Sequence, residues 1–453
     1  MPCNGPRQEP AANQPSALSL LLSRQFGPLF ATQFLSAFND NALKNALVLM
    51  IAYRPETAGG MSPGLLIPVA GGLFILPFFL CSATAGELAD VHDKAWLIRL
   101  IKLIEIPVML VAAGFVIAGH AGWLLALLLA MGVQAAFFGP LKYAILPDLL
   151  PREQLLLGNA LIEAGTFLAI LLGTIAGMLI ATAHGGASVA ALIVAVALAA
   201  WGISRAIPPT KPAAPGLRPN WNIATATGRL IAEAARQRVP FRAMLAISWF
   251  WLAGAIYLSQ FPSYVRFVLG SEEAVVTLFL TVFSVGIGVG SLLCNRLLRG
   301  RISARTVPWG ALGIALFSID LWAASPTGVV TAEPGTIGAF LGSLGHWRIL
   351  TDLFGIAVSG GIFIVPLYAL LQTESDPERR ARTIAGNNVI NAAAMVLSAV
   401  ITIALVAVGV SVPGLFLLTG LATLPVAALS RRIAQPRRDA AARTSATGKA
   451  AIS

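Results

Sequence analysis

The chain has 453 residues, of which 57% are hydrophobic and 11% charged, with a mean hydropathy of +0.79. A soluble globular chain carries about 25% charged residues, so this one lacks the polar surface to face water all round; that excludes a soluble enzyme, a disordered scaffold and a nucleic-acid binder. The net charge of +11 poses first a question of membrane sidedness, and three dispersed cysteines, Cys3, Cys81 and Cys294, suit neither a disulfide framework nor a metal cluster.

A helix needs about 20 mostly apolar residues to cross the hydrocarbon. Residues 1–25 form a Pro-rich N-terminal segment without the basic start and small-residue cleavage site of a signal peptide. Six spans follow within 26–206, at roughly 26–52, 64–85, 97–118, 122–145, 156–182 and 187–206. A linker at 207–242 opens with Pro208, Pro209 and Pro212, and its stretch Trp221 to Arg238 reads as an interfacial helix. Six more spans fill 243–430, at roughly 243–266, 274–297, 306–324, 348–371, 383–408 and 412–430, before a basic tail at 431–453. With the N-terminus inside, 26 of the 31 Lys and Arg residues fall in cytoplasmic segments or their adjoining turns, so both termini are expected to be cytoplasmic. Anionic membrane lipid is the natural partner of that basic surface. The expected fold is all-α: twelve transmembrane helices in two six-helix halves joined by a long linker, the plan of the major facilitator fold.

Span one carries the densest polar run, Ser36 to Asn45, near mid-depth. Each ionisable group there costs about 2.5–3.5 kcal/mol on insertion scales, so it faces partners or a wet cavity. Asp40 and Lys44 share a helix face and can pair, with Asn41 and Asn45 beside them and Asn39 adjacent. A cavity-lining role is expected; the competing reading is a structural pair that tightens the bundle. The loop after span two, Gly86-Glu87-Leu88-Ala89-Asp90-Val91-His92-Asp93-Lys94 with Arg99, resembles the major facilitator gating loop, its usual basic run degraded. Gly86 would permit close helix approach, and Asp90 would pair with basic groups to hold the inward side shut. The bland alternative is an ordinary charged hairpin.

Span four ends Pro140-Leu141-Lys142-Tyr143, where Lys142 either snorkels to the surface or faces inward. Span five places Asn159 and Glu163 on one face, and a Glu163–Lys142 pair is geometrically plausible. Gly173 and Gly177 mark a close-packing face. The second half is poorer in buried charge: Asn387 and Asn391 form a polar pair in span eleven, and Asp320 and Asp352 read as exposed helix-end groups near the outer surface. An uneven distribution of polar groups between halves leans towards an amphiphilic cargo, with a head site on one side and an apolar surface on the other.

At Gln33 to Ala42, Pro140 to Tyr143, Asn159 to Ala164, Gly361 to Gln372 and Ala385 to Asn388, the chain resembles the bacterial lysophospholipid transporter family of the major facilitator superfamily. Trp249-Phe250-Trp251 and Ser259-Gln260-Phe261-Pro262 are similar to its branch fused to an acyltransferase. The resemblance implies a non-enzymatic flippase of the bacterial inner membrane, moving lysophosphatidylethanolamine and related lipids from the outer to the inner leaflet. An acyltransferase/acyl-carrier-protein synthetase would then re-acylate them. None of the four histidines has an aspartate five residues on, so the acyltransferase signature is absent, and span seven lacks the basic residue of free-standing members. The expected substrate-binding set is Asn39, Asp40, Asn41, Lys44, Lys142, Asn159, Glu163, Asn387 and Asn391, with Gly86, Asp90, Lys94 and Arg99 at the gate and no cofactor or metal. The rival readings are a cation-coupled exporter, with Asp40 or Glu163 as its proton site, and a non-transporting partner of the acyltransferase.

Overall fold

The computed structural model describes residues 16–53, 63–326 and 335–434. The start of the N-terminal segment, the middle of the long 325–347 loop and the tail from 435 lie outside the described residues.

A short α1 (Ala17–Leu21) precedes α2 (Gly27–Tyr53), α3 (Pro63–Val91), α4 (Lys94–Ala118), α5 (Ala121–Ala144) and a one-turn α6 (Leu146–Leu149). The fifth and sixth spans form one unit, α7 (Leu155–Ser204), whose only non-helical backbone is at Gly185, with φ at 77°. The expected gap at 183–186 therefore narrows to a break that glycine alone takes without strain. Next come α8 (Ile223–Arg236), α9 (Arg238–Phe267), α10 (Glu273–Leu298) and α11 (Val307–Ala324). A one-turn α12 (Ile337–Leu341) leads to α13 (Leu344–Glu374), α14 (Arg380–Ala407) and α15 (Val412–Ala434). Ten segments among the described residues are long and apolar enough to cross a membrane. Counting the broken segment as two, and adding the more polar α2, brings the spans to twelve.

Glycines let the helices approach at backbone distance. A Cβ on Gly173 would stand 2.3 Å from the carbonyl oxygen of Phe38, and one on Gly177 the same distance from that of Ala42, so α7 lies directly on α2. In the second half, Gly290 meets the Val358 carbonyl, and Gly361 the Ile287 carbonyl, across α10 and α13. Lipid supplies no hydrophobic drive between helices, so close van der Waals approach does this work.

The two halves meet at the end of the bundle that carries the 207–222 segment, here termed the linker end. Gly86 of α3 faces α14 so closely that a Cβ would lie 2.6 Å from Ala385 Cβ. The amphipathic α8 straps across this seam, where Ala226 and Leu230 cluster with Ala83 of α3 and Ala385 of α14. Asn222 caps its start by accepting from the Thr225 amide.

Gly173→Leu is expected to cost about 1–3 kcal/mol through overpacking against α2, read as a fall of several degrees in the thermal midpoint of the purified protein. Gly254→Ala, whose Cβ would meet nothing within 4 Å, is expected to leave the midpoint unchanged.

Candidate functional site

A cavity of about 350 Å³ lies between the halves. Its charged wall is built by Asp40 and Lys44 of α2 and Lys142 of α5, with Gln33, Ser36 and Asn41 between them. Phe74, Ile75 and Phe78 of α3, Ile170 of α7, and Trp251 and Met395 from the second half form its apolar surface. The second half also contributes the amides of Asn388 and Asn391 and the phenol of Tyr368. Every charged residue of the lining comes from the first half, and the second half contributes two amides as expected, with Asn388 in place of Asn387 beside Asn391.

Asp40 and Lys44 share a face without an ion pair within 4.0 Å; Lys44 Nζ instead sits 6.0 Å from the centroid of the Phe74 ring. Oδ1 of Asp40 is buried and unpartnered. Lys142 does not snorkel. Its Nζ lies 4.9 Å over the Tyr143 ring, and the lysine lines the cavity. The direct Glu163–Lys142 pair is replaced by a hydrogen bond in which the Tyr143 hydroxyl donates to Glu163, which is fully buried.

Behind the charged wall is a second ionic cluster that the sequence reading missed. Lys102 and Glu105 of α4 pair at 2.6 Å, both side chains wholly buried. Lys102 also donates to Ser36 and lies 4.5 Å over the Phe138 ring. Glu105 accepts from Gln134 and from Asn39, whose amide additionally reaches the Ile193 carbonyl at 3.1 Å. The topology count placed Lys102 with the cytoplasmic cations, because it lies near the start of span three; in the structure it is a core residue. A Lys-x-x-Glu spacing inside an apolar run was the available signal.

The cavity is sealed towards the linker end by residues from both halves. The rings of Tyr143 and Tyr368 stack at 4.1 Å with 5° between planes, and Trp251 Nε1 donates to the Tyr368 hydroxyl at 3.2 Å. Beneath them the amides of Asn159 and Gln372 bond reciprocally at 2.7 and 2.9 Å, and Gln372 also donates to the Tyr143 carbonyl. Asn159 is thus part of the seal rather than of the cavity. Asn387 is buried off the cavity, whereas Asn391 lines it and accepts from Ser248 at 2.7 Å.

Further towards the linker end, Asp90 accepts from the amides of Ala381 and Arg382 and from Arg382 Nε at 2.9 Å. A carboxylate from the first half thereby caps the N-terminus of α14 in the second. Lys94 pairs with Asp148 at 2.8 Å, and Asp148 also faces Arg380 at 3.6 Å. Arg99 donates to the Ile207 carbonyl at 2.6 Å and ties down the linker instead of bridging the halves. Glu87 accepts from Arg229 of α8, and Arg229, Glu233 and Arg379 continue the chain of charges across the seam. At the opposite end Asp320 pairs with Arg348, as a helix-end group should, but Asp352 is only 2% exposed, contrary to the expected surface position. On α13 it packs beside Asp320 of α11, within hydrogen-bonding reach of that carboxyl, instead of facing water.

Lys102→Met strands Glu105 without its cation and is expected to cost about 3–5 kcal/mol of stability, read from denaturant-dependent tryptophan fluorescence. The double variant Lys102→Met/Glu105→Gln, which removes both charges, is expected to recover most of that loss.

The fold is shared with solved transporters of low sequence identity. The human organic anion transporter MFSD10 superposes with a TM-score of 0.72 at 15% identity, covering 92% of this chain and 100% of that one. The E. coli fucose:proton symporter FucP gives 0.67 at 14% identity, covering 91% and 98%. Among curated proteins, the lysophospholipid transporter LplT of Yersinia pestis (strain Pestoides F) is 29% identical over 389 residues, 82% of each chain, as is that of Yersinia pseudotuberculosis serotype O:3 (strain YPIII). The Major Facilitator Superfamily profile matches residues 29–347, well over half of the sequence. The chain therefore belongs to the Major Facilitator Superfamily.

Proposed function

We propose that this transporter moves lysophospholipids such as lysophosphatidylethanolamine from the outer to the inner leaflet of a bacterial inner membrane, by alternating access. The observation that carries the reading is the division of one cavity into a wall bearing Asp40, Lys44 and Lys142 and an apolar surface of Phe74, Phe78, Trp251 and Met395. A phosphate near Lys44 or Lys142 and an ammonium near Asp40 would neutralise charges that have no ion pair among the described residues. A single acyl tail would lie against the aromatic surface or remain in lipid. The similarity to curated lysophospholipid transporters over 82% of the chain supports the same cargo.

Direction follows from sidedness. With both termini and the 207–242 linker in the cytoplasm, the sealed end faces inward and the cavity would load from the outer leaflet. Asp90, Gly86 and Lys94 would then act as the inner gate, with Arg99 holding the linker against it. An acyltransferase on the cytoplasmic side would consume the delivered lipid.

The test is flipping of fluorescent lysophosphatidylethanolamine by the purified protein in proteoliposomes. Wild type is expected to exceed empty vesicles, and Asp40→Asn, Lys44→Ala and Lys142→Ala each to lose about tenfold or more, the scale of a charge-assisted hydrogen bond. A folded wild type no faster than empty vesicles would sink the proposal and point to a non-transporting partner. Drug export that tracks the proton gradient, without lysolipid movement, would point to the exporter.

The gate has its own readout. In a background with Cys3, Cys81 and Cys294 replaced by alanine, a cysteine introduced by Ala385→Cys is expected to react slowly with aqueous maleimide. Adding Asp90→Ala is expected to speed labelling by roughly tenfold, since a charged cap and its ion pair are lost. An unchanged rate would remove Asp90 from the gate.

A further inference from the structure

Away from the central cavity, a groove of about 240 Å³ runs between the first turns of α9 and the last turns of α15. Arg242 and Arg432 line it, one from each helix, together with Leu245, Ala246, Val426, Leu429, Ser430 and Ile433. No carboxylate lines it, and neither arginine belongs to any of the ion pairs formed among the described residues. Leu245 is 49% and Leu429 56% exposed, on helices whose apolar length suits a bilayer. Arg431 adjoins Arg432 in the last turn of α15, and α9 begins without a side-chain cap, so its free amides add positive potential at the same end.

We infer that this groove is a binding site for an anionic membrane phospholipid, distinct from the transport cavity. Two arginines from different helices line one groove, whose other lining residues are apolar but for Ser430. That is the complement of a phosphodiester whose acyl chains run down into the hydrocarbon. The volume argues for partial occupancy by a larger molecule. It falls below the roughly 300–1,000 Å³ of a pocket that engulfs a drug-sized ligand, so the groove holds a head group and upper chain while the rest stays in the bilayer. Guanidinium groups favour this role over lysine because each offers a planar pair of donors to phosphate oxygens. The site does not depend on what the central cavity carries.

The experiment is native mass spectrometry of the full chain, released from micelles supplemented with phosphatidylglycerol or phosphatidylethanolamine, alongside thermal shift with the same lipids and with inorganic phosphate. Wild type is expected to retain phosphatidylglycerol about tenfold better than phosphatidylethanolamine and to be stabilised by it. Arg242→Ala/Arg432→Ala is expected to lose that preference, whereas Arg296→Ala/Arg305→Ala, which removes the same charge elsewhere, keeps it. Leu429→Trp, which obstructs the groove but leaves both arginines, is expected to weaken retention as well. Equal phosphatidylglycerol retention by the two arginine double variants would overturn the site. Stabilisation by inorganic phosphate alone, matching that by phosphatidylglycerol, would overturn the lipid assignment.

Discussion

The Asp90 carboxylate, seated on the first turn of α14, decides the shape of everything above it. By accepting two backbone amides and the Arg382 guanidinium, it joins the halves at one end through donors that would otherwise have no intrahelical partner. Gly86 is what allows the carboxylate to arrive there, because any side chain at that position would push α3 off α14. Once the linker end is drawn together, the paired tyrosines and the Asn159–Gln372 amides fall into register one layer further in. The space left between the halves is the cavity.

A second constraint comes from the surrounding lipid. No ionised group in the spanning helices can rely on bulk water, and the protein handles its charges in two ways. Lys102 and Glu105 are neutralised by each other and wrapped in Ser36, Asn39, Gln134 and the Phe138 ring, so they brace α2, α4 and α5 around a fixed point. Asp40, Lys44 and Lys142 are left facing the cavity without ion pairs, a costly arrangement in a scaffold but a useful one in a binding site. Bracing and exposure meet on one face of α2, where Ser36, Asp40 and Lys44 follow at four-residue intervals and Ser36 belongs to both the cavity wall and the Lys102 cluster.

The sequence made some of this readable and hid the rest, for physical reasons. Asp40, Lys44 and Lys142 stood out because ionisable residues in an apolar run of membrane length are conspicuous wherever they point. Helical periodicity put Asp40 and Lys44 on one face, yet it could not choose the rotamer that carries Lys44 over Phe74. The stacking of Tyr143 on Tyr368, and the bond between Asn159 and Gln372, join residues from opposite halves, and no local pattern encodes such contacts. Lys102 was misplaced because hydropathy locates a span's ends only to within a turn, and one turn separates a cytoplasmic lysine from a buried one. The break between spans five and six is expected at 183–186, the stretch that holds Gly185; what the sequence could not show is that a single glycine makes it, with helix running up to it on both sides.

The strap formed by α8 changes how strong the seam has to be. Arg229, Glu233 and Arg379 are partly exposed, and such ion pairs are worth about 0–1 kcal/mol each. Between separate molecules, contacts of that strength would not hold. Here both flanks of the strap are covalently joined to the two bodies it spans, so re-forming each contact is a unimolecular event at high effective concentration. A closure assembled from weak, tethered contacts can be undone one contact at a time and restored without a search. Under the proposed alternating access, the same seam would hold the closed state and still open on every cycle.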